Sequence, residues 1–401
     1  MARGPLVLLR RLPRTVQILV AGTFVNRLGS MIVPYLTLVL NRELHLTETE
    51  TGLLVSAYGA GTIVAMLAGG QLTDRLGRRR TLLLSLLGSG TLAVAMGLSP
   101  SVGVFAPLLI AFAFLADLYR PASSAIIADL LPSADRALGF AALRMAINLG
   151  FGFGVMAGGL LADVSWRLLF WADGATTLLF AALVYLRVPE TRHETPVAAT
   201  AVSGHPMRDG VFVLLMLSTF VYCLAFYADF IVLPLTVTKS AGYPAYVFGL
   251  VVSVNGFLIA ACELTMVDWL RRFRRLRVAA VGVLTTALGL GIMGLVMHWA
   301  GFVVAMILVT IGEILTLPQQ SAFVTDWAPP EMRGRYLGTA SASWGLGAAV
   351  APIVLLPLHA QLSEAAFWGV LGLLILPSCA LLMHLDRTAD HPGRLRGQSH
   401  A

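Results

Sequence analysis

Lysine is almost missing from this chain. Of its 28 basic residues 27 are arginine, and the one lysine is Lys239. A phosphate-binding Walker A loop needs Gly-Lys followed by Ser or Thr, and Lys239 follows Thr238, so ATP-driven pumping is excluded. Cysteine is scarce too. Cys223, Cys262 and Cys379 all fall inside apolar runs and show neither disulfide nor metal-ligand spacing, so no metal is expected. No histidine falls at the middle of an apolar run: His298, His359 and His384 are at the ends. Proton chemistry within those runs must therefore rest on carboxyls. Charge itself is sparse. Only 12% of residues are charged against about 25% in a soluble domain, while 57% are hydrophobic. This composition is that of a membrane protein.

A membrane crossing takes about 20 mostly apolar residues. Twelve such runs are predicted, at residues 17–40, 51–70, 81–99, 103–129, 138–162, 167–188, 211–238, 245–268, 278–298, 301–327, 336–360 and 364–385. The expected fold class is an all-α membrane protein with twelve transmembrane helices. The first run goes on to span, so no cleaved signal peptide is expected.

The formal charge of +7 raises the question of nucleic acid. Placing each basic residue answers it. Both tails and the loops on one side hold 22 of the 28, among them Arg75, Arg78, Arg79 and Arg80, and the five arginines between 271 and 277. The opposite loops hold Arg42, Arg167 and Lys239. That asymmetry is membrane topology and puts both termini in the cytoplasm, so nucleic acid is no partner.

The chain also repeats. Pro121, Asp129, Pro132 and Arg136 reappear as Pro318, Asp326, Pro329 and Arg333, all displaced by 197 residues. Two six-helix halves in parallel repeat are the build of a rocking transporter. The expected division is 1–188 for the first bundle, 189–210 for a cytoplasmic linker, 211–385 for the second bundle and 386–401 for a cytoplasmic tail. The two pseudo-symmetric bundles are expected to enclose a central cavity.

Between the second and third runs lies Gly69-Gly70-Gln71-Leu72-Thr73-Asp74-Arg75-Leu76-Gly77-Arg78-Arg79-Arg80, read as a short basic loop. Its Gly-x-Leu-x-Asp-Arg-x-Gly-Arg-Arg-Arg order resembles the loop between helices 2 and 3 of the major facilitator superfamily. Val25-Asn26-Arg27-Leu28-Gly29, Arg144-x3-Asn148-x-Gly150, the glycines at 150, 152, 154, 158 and 159, Glu313-Ile314-Leu315 and Arg333 to Gly338 resemble its drug:proton antiporter branch, the multidrug efflux type. One departure stands out: that branch carries Gly-Pro before its final glycine pair, and here Met156-Ala157 stands there. The resemblance covers nearly the whole chain. It implies that Gly70, Asp74, Arg75, Gly77 and Arg78 form a conformational latch between the two halves.

Ionisable residues inside the runs are costly unless paired or wet, which makes them functional candidates. An intramembrane charge network is expected from Arg27, Asp117, Arg120, Arg144, Asn148 and Glu263. Asp117 and Arg120, at i,i+3, form either a self-neutralising pair or, since the resemblance puts a proton-linked arginine near there, part of the coupling. Arg144 could instead reach water at its helix end, and Asp173 is expected to be structural. Asp229 has Tyr222 and Phe226 at i−7 and i−3, giving either a face for a lipophilic cation or a packing stripe. Glu313 sits mid-run with Gln320 at i+7 and no basic residue within a turn. Glu313 and Asp229 are the proton-coupling candidates; Asn26, Tyr222, Phe226 and Gln320 are the candidates for a substrate cavity.

The expected function is secondary export of small lipophilic or cationic molecules in exchange for protons, by a monomer in the cell inner membrane. Its partners are the substrate, protons and the lipid bilayer; no cofactor and no enzymatic activity are expected. A carrier of one metabolite or sugar on the same fold is the nearest alternative. A non-transporting membrane sensor is the remote one.

Overall fold

Each apolar run becomes a helix, because only a helix satisfies all its own backbone groups in hydrocarbon. The computed structural model describes residues 12–191, 205–270, 272–329 and 332–388. Most of the expected linker and nearly all of the expected tail lie outside the described residues. In chain order the helices are α1 Arg14–Glu43, α2 Glu48–Leu76, α3 Arg78–Leu98, α4 Val102–Leu130, α5 Ser133–Val164 and α6 Trp166–Arg187. They continue as α7 Gly210–Ser240, α8 Ala245–Leu270, α9 Arg275–Leu295, α10 Trp299–Trp327, α11 Arg333–Gln361 and α12 Glu364–Thr388. Among the described residues, eleven are long and apolar enough to cross a membrane. The twelfth, α2, has 29 residues and so spans about 44 Å, enough to cross as well. An even number of crossings puts the start of α1 and the end of α12 on one face, here the termini face; the other is the far face.

Four helices are interrupted, each two to four residues before a proline. The breaks fall at Ser30–Met31 before Pro34, Leu118 before Pro121, Val232 before Pro234 and Ile375 before Pro377. Proline supplies no N–H and its ring crowds the carbonyl one turn back, so the ladder opens there. Pro318 and Pro352, by contrast, lie inside α10 and α11, which remain continuous.

The stretch 69–80 is not a loop. α2 runs on to Leu76, α3 starts at Arg78, and Gly77 alone is non-helical, with φ +97°. The run Gln71 to Leu76 favours helix, and glycine adopts the left-handed turn without strain, which shortens the connection to one residue.

The halves repeat in detail. Arg78 pairs with Asp129 at 3.2 Å, and Arg275 pairs with Asp326, both partners displaced by 197 residues. α1 and α7 each end in a π-helical turn, Val39–Glu43 and Thr236–Ser240, again 197 apart. Leu46 N–H donates to Leu40 O, and Tyr243 N–H to Val237 O, both at 3.0 Å and at that same displacement.

Contact between the halves runs along α2 with α11 and α5 with α8. Small residues let the backbones close. A Cβ on Gly59 would lie 2.6 Å from Ala348 O, and one on Gly256 would lie 2.9 Å from Gly152 Cα. On the far face polar groups fasten the halves. Asp163 of α5 accepts the N–H groups of Ala245 and Tyr246 at 2.8 and 3.0 Å, capping α8. Glu48 of α2 bonds Lys239 at 3.2 Å and His359 Nδ1 at 2.8 Å, while His359 Nε2 meets Glu364 at 2.9 Å.

Candidate functional site

Between the halves lies a cavity of about 530 Å³ with two unlike walls. The first half supplies every charged group in its lining: Arg27 from α1, Asp117 and Arg120 from α4, and Asp173 from α6. The second half supplies Phe226, Tyr227 and Phe230 from α7 and Trp344 from α11. Phe226 sits edge-on to Trp344, Tyr227 and Phe230 with ring centroids 5.1, 5.5 and 5.6 Å apart. Each such pair adds about 0.5–1.5 kcal/mol beyond burial, so the panel is stiff. Tyr58, Phe112 and Phe151 continue the aromatic lining on the first half.

The helix breaks position the charges. α1 opens at Ser30–Met31, where the Met31 N–H turns back to Gly29 O at 2.6 Å, and the Asp173 carboxylate faces this opened turn. Thr177 donates to Asp173 Oδ1 at 3.2 Å and accepts from Asn26 Nδ2 at 2.8 Å. Arg27 hydrogen-bonds the Tyr119 hydroxyl, and its Nε is buried with no partner. In α4 the break at Leu118 sets Asp117 and Arg120 side by side as an ion pair, with Arg120 Nε 2.9 Å from Asp117 Oδ1. The Arg120 side chain remains 53% exposed, and the void is what it is exposed to.

A second polar cluster is embedded in the second half. Glu313 of α10 accepts from Asn255 Nδ2 of α8 at 2.7 Å, and the same nitrogen lies 3.2 Å from Thr310 Oγ1. Asp229 of α7 is buried at 4% exposure, its Oδ1 has no hydrogen-bond partner, and it is within electrostatic reach of Glu313. Tyr222 bonds Thr286 at 3.2 Å in the same region. Glu263 of α8, within reach of Glu313, is bonded across the halves by Arg144 of α5. Among the described residues no group of three or more His, Cys, Asp or Glu could hold a metal ion.

The sequence profile of the Major Facilitator Superfamily matches residues 19–215 and again 215–400. The chain belongs to the major facilitator superfamily. It is a multi-pass membrane transporter of small molecules, with two matches in tandem as the repeat requires. Its relatives fit the drug:proton antiporter branch. A Na(+), Li(+), K(+)/H(+) antiporter of Planococcus maritimus is 25% identical over 371 residues, 84% of this chain and 87% of that protein. Multidrug resistance protein 1 of Bacillus subtilis (strain 168) is 29% identical over 216 residues, 51% of this chain and 55% of that one. In fold, the chain superposes on a POT family transporter in complex with 5-aminolevulinic acid with TM-score 0.80 and 13% identity, over 95% of this chain and 99% of the other.

Within this facilitator the sequence candidates divide between the two sites. Asn26, Arg27, Asp117, Arg120 and Phe226 line the cavity. Tyr222 and Gln320, read in sequence as cavity residues, are instead buried in the second half: Tyr222 faces Thr286, and Gln320 accepts from Thr219 at 3.1 Å. Asp173, read as structural, lines the cavity as well as accepting from Thr177. Glu313, Asp229, Glu263 and Arg144 belong to the embedded cluster, and Asn148 stands at the α5–α8 crossing, where its carbonyl faces Gly256. Of the latch candidates, Arg75 is exposed, and Gly77 turns the chain against Glu190, which accepts the Arg78 N–H at 2.8 Å. The surroundings of Gly70 and the side chain of Asp74 lie outside what is described. Asn255 and Trp344 were missed. An asparagine within an apolar run was the available signal for Asn255; for Trp344 there was none, since tryptophan is unremarkable in such a run.

Proposed function

We propose that this facilitator exports small lipophilic compounds, cationic ones included, in exchange for protons by alternating access. It acts as a monomer in the cytoplasmic membrane with both termini inside. The observation that carries this reading is the double duty of α7. Phe226 and Phe230 line the cavity, while Asp229 between them points into the acidic cluster with Glu313. An ionised carboxylate without a partner costs several kcal/mol in such surroundings, and a proton on it removes that cost. Protonation therefore changes the favoured packing of α7, and α7 carries the aromatic wall with it. Proton and substrate occupy different places and are coupled through this helix, rather than competing for one carboxylate. The α2–α3 turn at Gly77 serves as the latch that biases the two orientations.

The test is uptake into proteoliposomes under an imposed pH gradient, with a fluorescent dye as cargo. Glu313→Gln should exchange dye down its gradient yet fail to concentrate it. If Glu313→Gln concentrates dye normally while Asp229→Asn does not, the proton site belongs to α7 alone. If the wild type does not concentrate dye, the exporter reading is wrong.

A second reading has an observation of its own. The embedded cluster offers only oxygen donors besides Asn255, namely Asp229, Glu313, Thr310 and Tyr222, and hard alkali cations prefer oxygen. The Planococcus maritimus relative is by name an alkali cation/proton antiporter. In the same vesicles, Na⁺ or K⁺ alone would then collapse the pH gradient.

A further inference from the structure

The charges around the cavity are balanced on paper, but not in what they present to a ligand. Asp173 is 5% exposed and accepts from Thr177. Arg27 bonds Tyr119, and its unpartnered Nε is buried away from the void. Asp117 has a side chain 17% exposed and is paired with Arg120 Nε. Arg120 uses only that one nitrogen, and its two terminal nitrogens have no hydrogen-bond partner among the described residues, with the side chain 53% exposed to the void. The cationic hydrogen-bonding capacity left facing the ligand is thus a guanidinium fork. Across the cavity stands the panel of Phe226, Trp344 and Phe230, which carries no charge.

A guanidinium fork binds a planar anion through two parallel N–H···O bonds, and the ion pair with Asp117 holds it beside the cavity. The geometry points to a cavity that selects compounds with an aromatic body and a carboxylate, the carboxylate on Arg120 and the ring against Phe226 and Trp344. A positive group elsewhere on the same molecule is compatible with this arrangement, so zwitterions are included. The inference rests on the exporter reading for the cavity's role, and it names the chemical class that the cavity takes.

Three probes that share a ring and differ in charge test it: 2-naphthoate, 2-naphthamide and 2-naphthylmethylamine, titrated into the purified full-length protein by calorimetry. Naphthoate should bind about tenfold or more tighter than naphthamide, a ratio in the range of one charge-assisted hydrogen bond. This comparison is made within the wild type and depends on no variant folding. Arg120→Gln should bring naphthoate down to the level of naphthamide, while Arg120→Lys, which keeps the charge but not the fork, should fall between. The double variant Asp117→Asn with Arg120→Gln leaves no lone carboxylate, and it should also lack the preference. Trp344→Ala should weaken all three probes alike. Equal or tighter binding of the amine by the wild type overturns the inference, and so does a naphthoate preference that survives in Arg120→Gln. Failure of the exporter reading gives a different pattern: Arg120-dependent naphthoate binding in a protein that never concentrates dye under a pH gradient.

Discussion

Asp173 shows how one residue serves two purposes. Its carboxylate faces the backbone gap that Pro34 opens in α1, and it accepts from Thr177, which in turn accepts from Asn26 at the cavity wall. Removing it takes the acceptor from the buried Thr177 hydroxyl, a loss of about 1–3 kcal/mol. Asp173→Ala should therefore lower the thermal unfolding midpoint in detergent clearly, and Asp173→Asn, which keeps one oxygen acceptor, should lower it less. Wild-type midpoints for both variants would show that the Asp173–Thr177–Asn26 network does not hold this wall. The sequence made Glu313 and Asp229 conspicuous because a lone acid in an apolar run is costly wherever it ends up. It could not say that Asp173 meets α1, since that contact spans more than 140 residues and depends on where the ladder breaks. The position of Gln320 was likewise beyond its reach: a spacing of i+7 puts two residues on one stripe but does not say what the stripe faces.

At the scale of the helix, legibility followed the strength of the local rule. Apolar length located the runs to within several residues, and glycine marked the one turn between α2 and α3. The same glycines suggested a twelve-residue loop where the helix in fact continues to Leu76. Pro34 and Pro121 follow breaks in their helices, whereas Pro318 and Pro352 sit within continuous ones. The clasp on the far face was invisible, because Glu48, Lys239, His359 and Glu364 come from four separate elements. Both ring nitrogens of His359 face carboxylates, so both must donate, which requires the imidazolium form. Glu48 is the clasp's sole contribution from the first half among the described residues, and opening the far face must release it. Glu48→Gln loses the charge that holds both Lys239 and His359, so it should shift the population toward the far-face-open state. Spin labels at Ser101 and Met297, in far-face loops of the two halves, would report this as a longer distance by pulsed electron resonance. An unchanged distance distribution in Glu48→Gln would show that the clasp does not bias the equilibrium.

For the whole molecule, the strongest signal was the displacement of 197 residues, visible in four positions and repeated in structure by the pairs Arg78–Asp129 and Arg275–Asp326 and by the two π turns. The same repeat fixes the relation of the halves to the membrane, because a parallel repeat with an even number of helices returns the chain to its starting face. What remains is which face is inside. Of the 28 basic residues 22 lie on the termini face or in the tails, against three in the opposite loops. Positive charge in short loops is retained in the cytoplasm, and here nearly all such charge votes one way. The far face keeps few cations, and Lys239 among them is bound to Glu48. Reporter fusions after Gly204 and after His400 should accordingly read cytoplasmic, and fusions near Glu48 or Lys239 should read external. An external reading at 204 with a cytoplasmic one at 48 would invert the protein, and the cavity's route to each compartment with it. The proton gradient would still drive cargo outward, because an antiporter couples opposed fluxes whichever way it is inserted; the clasp would then close the cytoplasmic face.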